Sequence, residues 1–245
     1  MRVLISGAGI AGPTTAYWLA KYGFTPTIVE RAGSLVTGGY KIDVRGSALD
    51  VLRRMGIEDA VVAAATRMRG AMLVDRDGAV ISRMSGDEFG HRVGDDVEIV
   101  RGSLCRILID RIPDVETIFG DSIERLEQSA DGVRVDFASG ISREFDLVVG
   151  ADGLHSNVRR LVFGDEERYR RDLGMYLCVF SVPNYLGLDR EEMQYSEIMT
   201  STPDDDAREL SGSAVEGVID RTTDRITVAS NAIDLRDYSE FASRA

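Results

Sequence analysis

Six residues near the N-terminus have the types and spacing to hold a phosphorylated ligand: Gly7, Gly9, Ile10, Ala11 and Gly12, followed by Glu30 eighteen positions after the last glycine. Gly7 permits a tight strand-to-helix turn, Gly9 lets the backbone approach a pyrophosphate, and Gly12 lets the helix pack on the strand. Ile10 and Ala11, opening that helix, are expected to offer free N–H groups and the positive end of the helix dipole to the phosphates. A carboxylate at Glu30 can accept hydrogen bonds from both hydroxyls of a ribose and would repel a 2′-phosphate. The ligand chemistry at this site is therefore that of FAD or NAD, not NADP.

Glycine-rich turns are common, so the motif needs the right elements around it. Arg2–Ser6 is a short apolar run of the kind buried on both faces of a sheet. Ala11–Tyr22 carries Ala16, Leu19 and Ala20 at helical spacing, with Gly23 placed to end the helix. Thr25–Glu30 reads as a second strand that delivers Glu30. Strand, glycine turn, helix, strand and terminal acid together make a nucleotide-binding βαβ unit. They do not by themselves choose between FAD and NAD.

Composition bounds the rest. A chain of 245 residues with 44% apolar and 29% charged residues is that of an ordinary globular protein. The net charge of −12 argues against nucleic acid or an anionic membrane as partner. No apolar run approaches the ~18–20 residues of a membrane span, and the N-terminus has no leader pattern, so a cytoplasmic location is expected. Cys105 and Cys178 form no Cys-x-x-Cys pair, which removes a dithiol redox centre and with it a disulfide reductase. His91 and His155 are the two histidines, too few for a histidine-rich metal site, and no metal is expected.

Further along, Gly38–Gly46 reads as a glycine-opened loop carrying Lys41, Asp43 and Arg45, leading into a helix over Ser47–Met55. Ala71–Val74 and Ala79–Ser82 flank Asp75-Arg76-Asp77-Gly78, a hairpin signal. Val97–Val100 leads into a helix at Arg101–Ile112, and Val133–Phe137 and Phe145–Val149 read as strands. Then comes Asp146-Leu-Val-Val-Gly-Ala-Asp152-Gly153-Leu-His-Ser156-Asn-Val-Arg159, a buried strand, a sharp Asp-Gly turn and a helix opened by Ser156.

That segment resembles the Asp-Gly motif of the class A flavoprotein monooxygenases, the para-hydroxybenzoate hydroxylase family that includes tetracycline-degrading monooxygenases. Glu30-Arg31 resembles the Glu-Arg after the second strand in these enzymes. Gly39–Arg45 resembles the segment beside the flavin ring, with Asp43 and Arg45 as flavin or pyridine-nucleotide contacts. Arg101 resembles an arginine that reaches the FAD phosphates and ribitol, and Asp152 and Arg159 are expected near the pyrophosphate. The resemblance implies an α/β, three-layer FAD/NAD(P)-binding fold of Rossmann type with a mixed-sheet substrate domain. It also implies FAD as cofactor, NADPH or NADH as electron donor, and transfer of oxygen from O2 to a small electron-rich substrate, aromatic or polyketide. No side chain is expected as nucleophile, since the flavin carries the chemistry.

The resemblance divides the chain into 1–74 (the FAD-binding βαβ unit and the helix after it), 75–100 (a hairpin region), 101–165 (the rest of the FAD-binding domain), 166–199 (the start of a substrate domain) and 200–245 (an unrecognised polar tail). In the tail, Arg225–Ala229 reads as a strand and Tyr238–Ala242 as a short helix. The family's late Gly-Asp motif has no counterpart, so the chain reads as an N-terminal fragment, a truncated product or a family domain joined to foreign sequence after about residue 199, and oxygen transfer by it is expected to be uncoupled. The competing class is a non-catalytic nucleotide-binding fragment, which flavin colour on purification separates from an enzyme. A flavin halogenase would need a second tryptophan beyond Trp18.

Overall fold

The run Arg2–Ser6 forms a strand with a parallel neighbour on each side, the environment its unbroken apolar character requires. The computed structural model describes residues 1–171 and 176–195 and, beyond them, the strands 198–199, 210–211, 219–220 and 225–232. In chain order the elements begin β1 (Arg2–Ser6), α1 (Ala11–Lys21), β2 (Thr25–Glu30), β3 (Lys41–Val44), α2 (Ser47–Met55) and α3 (Glu58–Ala63). They continue β4 (Gly70–Val74), β5 (Val80–Ser85), α4 (Gly86–Gly90), β6 (Val97–Val100), α5 (Arg101–Asp110), β7 (Glu116–Phe119) and β8 (Ile123–Gln128). Then follow β9 (Val133–Phe137), β10 (Ser142–Phe145), β11 (Leu147–Gly150), α6 (Asn157–Phe163), β12 (Tyr176–Pro183) and β13 (Glu191–Tyr195). The later strands are β14 (Ile198–Met199), β15 (Leu210–Ser211), β16 (Ile219–Asp220) and β17 (Arg225–Ala232). Tyr238–Ala242 and the acidic turn at Ser201–Asp206 lie outside the described residues.

Two compact units divide the chain, and they interleave along it where the sequence suggested consecutive segments. The first gathers Met1–Gly38, Ser47–Ala64 and Arg101–Arg171. Its centre is a parallel sheet in the order β11-β1-β2-β7. Side-chain alternation sends the two faces of β1 into different cores. Val3 and Ile5 pack with Ala16 of α1, Ile28 and Ile112, whereas Leu4 packs with Val29, Ile123, Val135, Phe137, Phe145 and Val158. The second set belongs largely to an antiparallel sheet, β10-β9-β8, and to α6. Helices, parallel sheet and antiparallel sheet are thus the three layers, held by a strand whose Val3, Leu4 and Ile5 are all 0% exposed. Burying a side chain of this size stabilises the fold by ~1.5–3 kcal/mol.

The second unit comprises Gly39–Gly46, Ala65–Val100 and the described residues after Arg171. It contains the mixed sheet β13-β4-β5, in which β13 runs parallel to β4 and β4 antiparallel to β5. Met72, Val74 and Leu188 form its small core. The expected hairpin is present. Asp75 organises its turn by accepting the N–H groups of Asp77 and Ala79, and Gly78 takes the positive φ of 80°. In the tail, β17 includes the expected strand and pairs with β12 and β16.

Two local expectations are corrected. Lys41–Val44 is not loop but strand, because Ile42 and Val44 face Ile99 and Val97 across an antiparallel pair. The segment Phe145–Val149 is two strands, not one: β10 runs antiparallel to β9 and β11 parallel to β1. The change of partner falls at Asp146, whose carboxylate takes the Arg2 N–H at 2.6 Å.

Candidate nucleotide-binding site

β1 ends at Ser6, and the chain reverses into α1 through Gly7, whose φ of 109° favours glycine. The Gly7 N–H is fixed on the Val29 carbonyl at 2.8 Å, and a Cβ at Gly7 would stand 2.5 Å from the Ala151 oxygen. Gly12 is equally constrained, since a Cβ there would drive into the Gly7 carbonyl. Ile10 precedes α1 and provides no side-chain cap, and no acidic residue sits in the first turn. The first-turn N–H groups at Ala11 and Gly12 are therefore left for a ligand, while Pro13 at the next position has none to satisfy. Such a terminus favours an anion.

Glu30 closes β2 against this loop. Its Oε2 accepts the Ala8 N–H and its Oε1 the Ala32 N–H, each at 2.8 Å. Two backbone donors fix the carboxylate beside the glycine turn, and each oxygen keeps acceptor capacity for a hydroxyl. Arg101, the first residue of α5, reaches the same loop: a Cβ on Gly9 would lie 3.3 Å from its guanidinium. Among the described residues that guanidinium makes no hydrogen bond and no ion pair, which suits a cation meant for a phosphate. α5 is brought this close by Gly102, where a Cβ would collide with the Thr37 carbonyl. Burial pushes the Cys105 thiol above its ordinary value, with the Arg101 charge opposing that rise, so Cys105 is no nucleophile.

Asp152 sits against the glycine turn from the other side. Its carboxylate accepts the Ser6 hydroxyl at 3.2 Å, the Val158 N–H at 3.0 Å and the Ser156 hydroxyl. Ser156 in turn caps α6 by accepting the Arg159 N–H. Arg159 itself is drawn elsewhere. Its Nη2 donates to the Leu154 carbonyl at 2.5 Å and lies 3.5 Å from Glu166, while its buried Nε has no hydrogen-bond partner among the described residues. Asp43 and Arg45 belong to the second unit, where they pair with each other at 2.8 Å.

A cavity of about 520 Å³ opens beside Ser6, Gly7, Glu30, Arg31 and Asp152, within the ~300–1,000 Å³ usual for small-molecule sites. Arg159 does not line it. Asn157, from the Asp-Gly motif, does, and so do Asp121 and Arg160, which no motif marked. Burial acts to raise the Asp121 carboxyl, but the Ser139 hydroxyl and the N–H groups of Ser122 and Ser139 outweigh it and hold Asp121 below the usual range. Glu166, at the same cavity, is held low by its hydrogen bond from His155 at 2.8 Å, against burial and with help from Arg159 and Arg170. A larger cavity of about 940 Å³ follows β11 and α6 past Leu147, Leu161 and Phe163. It touches neither Gly7 nor Glu30, and the smaller one is the nucleotide candidate.

A parallel sheet, a glycine turn and an acid at the end of the second strand define a dinucleotide-binding domain. Comparison with known proteins makes it specific: residues 1–185 match the FAD binding domain family, and the chain belongs to that family. It is 43% identical over 194 residues to a flavin-dependent monooxygenase of Legionella longbeachae, a match covering 79% of this chain and 50% of that one. An uncharacterized protein of Mycobacterium tuberculosis is 50% identical over 190 residues, covering 76% of this chain and 51% of its own. Among solved structures, the tetracycline destructase Tet(55) superposes with a TM-score of 0.78 at 36% identity, covering 98% of this chain and 60% of that one. The chain spans about half the length of the curated relatives it matches. FAD is the cofactor of this fold. Among the described residues no helix is long and apolar enough to cross a membrane.

Proposed function

We propose that this chain is the FAD-holding part of a cytoplasmic flavin-dependent monooxygenase that takes electrons from NADPH or NADH and acts with O2 on a small, electron-rich aromatic or polyketide substrate. The observation that carries the reading is the convergence of Glu30, the uncapped start of α1 and Arg101 on one glycine turn. Those groups fit FAD: an acceptor pair for a ribose, and for a pyrophosphate backbone donors and a cation with no partner among the described residues. Bound FAD would supply the redox chemistry, accepting two electrons from the nicotinamide and passing one oxygen atom of O2 to the substrate while the other leaves as water.

The residues of this chain bind and orient. Glu30 anchors the ribose through oxygens already aimed by Ala8 and Ala32. The N–H groups of Ala11 and Gly12, with Arg101, hold the pyrophosphate, and Arg31 flanks the adenosine cavity. Asp152 acts at one remove, fixing the Ser6 hydroxyl and the opening of α6 beside the loop. Asp43 and Arg45 are assigned to the flavin ring by the resemblance of their segment. The polyketide class is supported by the likeness to Tet(55).

The test loads the purified chain with FAD and supplies NADPH or NADH, isotope-labelled O2 and a panel of phenols and polyketides. Saturable flavin binding and substrate-stimulated nicotinamide oxidation with label in the product are expected. A protein that never retains flavin overturns the cofactor site. Flavin binding without label in any product overturns the monooxygenase reading alone.

A further inference from the structure

The second unit buries an unusual amount of charge. β3 and β6 pair so that Asp43 stands directly opposite Glu98, two carboxylates on one face of a ladder. Like charges in that position repel, and burial strengthens the repulsion. The side chains of Glu98 and Glu192 are 5% and 2% exposed, and those of Lys41 and Arg92 are 9% and 8% exposed. Arg92 enters from the end of α4 and meets both facing acids, 2.8 Å from Glu98 and 3.7 Å from Asp43. Its other donors take the Gly86 carbonyl at 2.5 Å and Asp87 at 3.2 Å. Lys41 lies 3.3 Å from Glu98 and also pairs with Glu192 of β13. Thr66 donates its hydroxyl to Glu98. Arg45, bound to Asp43, lies 3.8 Å from Asp96 and donates to the carbonyls of Gly90 and His91. Two arginines therefore staple the turn after α4 to β3, and two buried cations stand between acids on three strands.

We infer that Arg92 and Lys41 are positioning residues: they hold the acidic faces of β3 and β6 in register and thereby fix the Asp43–Arg45 pair. The inference rests on the proposed function only in giving that pair a place beside the flavin. Without Arg92, Asp43 keeps Arg45, whereas the more deeply buried Glu98 faces Asp43 with Lys41, which Glu192 already shares. One proton is then held between the acids, so a carboxyl pKa in the folded chain rises above its unfolded value. The sign follows from linkage. Stability is full below the unfolded carboxyl pKa, near ~4, and is lost as pH rises through the raised folded value.

The experiment compares melting temperature against pH, from about 4.5 to 7.5, for the full chain and three variants. Relative to wild type, Arg92→Met loses Tm as pH rises, by roughly 3–5 °C for each pH unit by which the proton is held. Arg92→Met/Glu98→Gln, with one acid neutralised, returns to the wild-type slope. Arg92→Lys keeps that slope with a constant offset, because it retains the charge and loses the fork to Gly86 and Asp87. An Arg92→Met profile parallel to wild type reduces Arg92 to packing and overturns the inference. A slope that survives in the double variant overturns it as well. The readout needs no flavin, so it stands or falls separately from the cofactor site.

Discussion

Replacing Glu30 by Ala removes a carboxylate that the fold has already oriented. Both oxygens are engaged, on Ala8 and Ala32 at 2.8 Å each, and the side chain is half-buried at the rim of the 520 Å³ cavity. Hydrogen bonds to a charged acceptor contribute ~1.5–3 kcal/mol each. Water reaches the rim and replaces part of what the backbone donors lose, so the loss in apo stability is small, about 1 kcal/mol. The ribose contacts are different, because bound ligand excludes that water. We expect Glu30→Ala to weaken FAD by about 1–3 kcal/mol, a factor of roughly 5–150 in Kd. The assay is a flavin-fluorescence titration of wild type and variant, repeated with ADP-ribose by calorimetry. Because the lost contacts lie at the adenosine end, both ligands should weaken by a similar factor. Equal FAD affinities for wild type and variant would remove Glu30 from the site. A loss confined to FAD would place its effect at the flavin end and refute the geometry argued here.

Gly12→Ala should abolish flavin retention and lower Tm, since the new Cβ meets the Gly7 carbonyl and the first turn of α1 must move; circular dichroism and FAD titration check both. Arg101→Met should weaken FAD by about 1.5–3 kcal/mol and reduce the salt dependence of binding while leaving apo stability nearly unchanged, because the guanidinium has no protein partner among the described residues. Arg159→Met should change FAD affinity far less than Arg101→Met, since its side chain is engaged by Leu154 and Glu166; the same titration checks it. The Arg143 guanidinium, bound to Glu116 at 2.8 Å and 3.0 Å, lowers the Glu116 carboxyl against burial. That pair therefore contributes stability above the unfolded carboxyl pKa and loses it as pH falls through the folded value. Because both partners are more than a third exposed, Arg143→Met should cost under about 1 kcal/mol at pH 7 and nothing at pH 2, read from urea unfolding at the two pH values.

The parts of the fold legible in the sequence are those whose signal is local. Val3, Leu4 and Ile5 announce a strand buried on both faces, and Gly7, Gly12 and Glu30 announce what that strand feeds. β8, with the sequence Ile-Glu-Arg-Leu-Glu-Gln, carries no local strand signal because it exposes four of its six residues and has little apolar pattern. β3 carries none either, because its four residues gain their meaning from Val97–Val100, far along the chain. The site divides in the same way. Gly102 has no motif, yet its lack of a side chain lets α5 approach Thr37 and sets Arg101 over Gly9. Arg159 has the right type for a phosphate and the right motif around it, but the local carbonyl of Leu154 and the charge of Glu166 engage its Nη2. Spacing says which residue types are available; only the fold says which of them are already spent.

The most direct test of the central claim is a structure of this chain with FAD bound. The account predicts the adenosine in the cavity beside Glu30, Arg31 and Asp121, both ribose hydroxyls within hydrogen-bond distance of the Glu30 carboxylate, and the pyrophosphate between the start of α1 and the Arg101 guanidinium. FAD seated in the larger cavity along β11, or its pyrophosphate held by Arg159 and away from Gly7–Gly12, would contradict it.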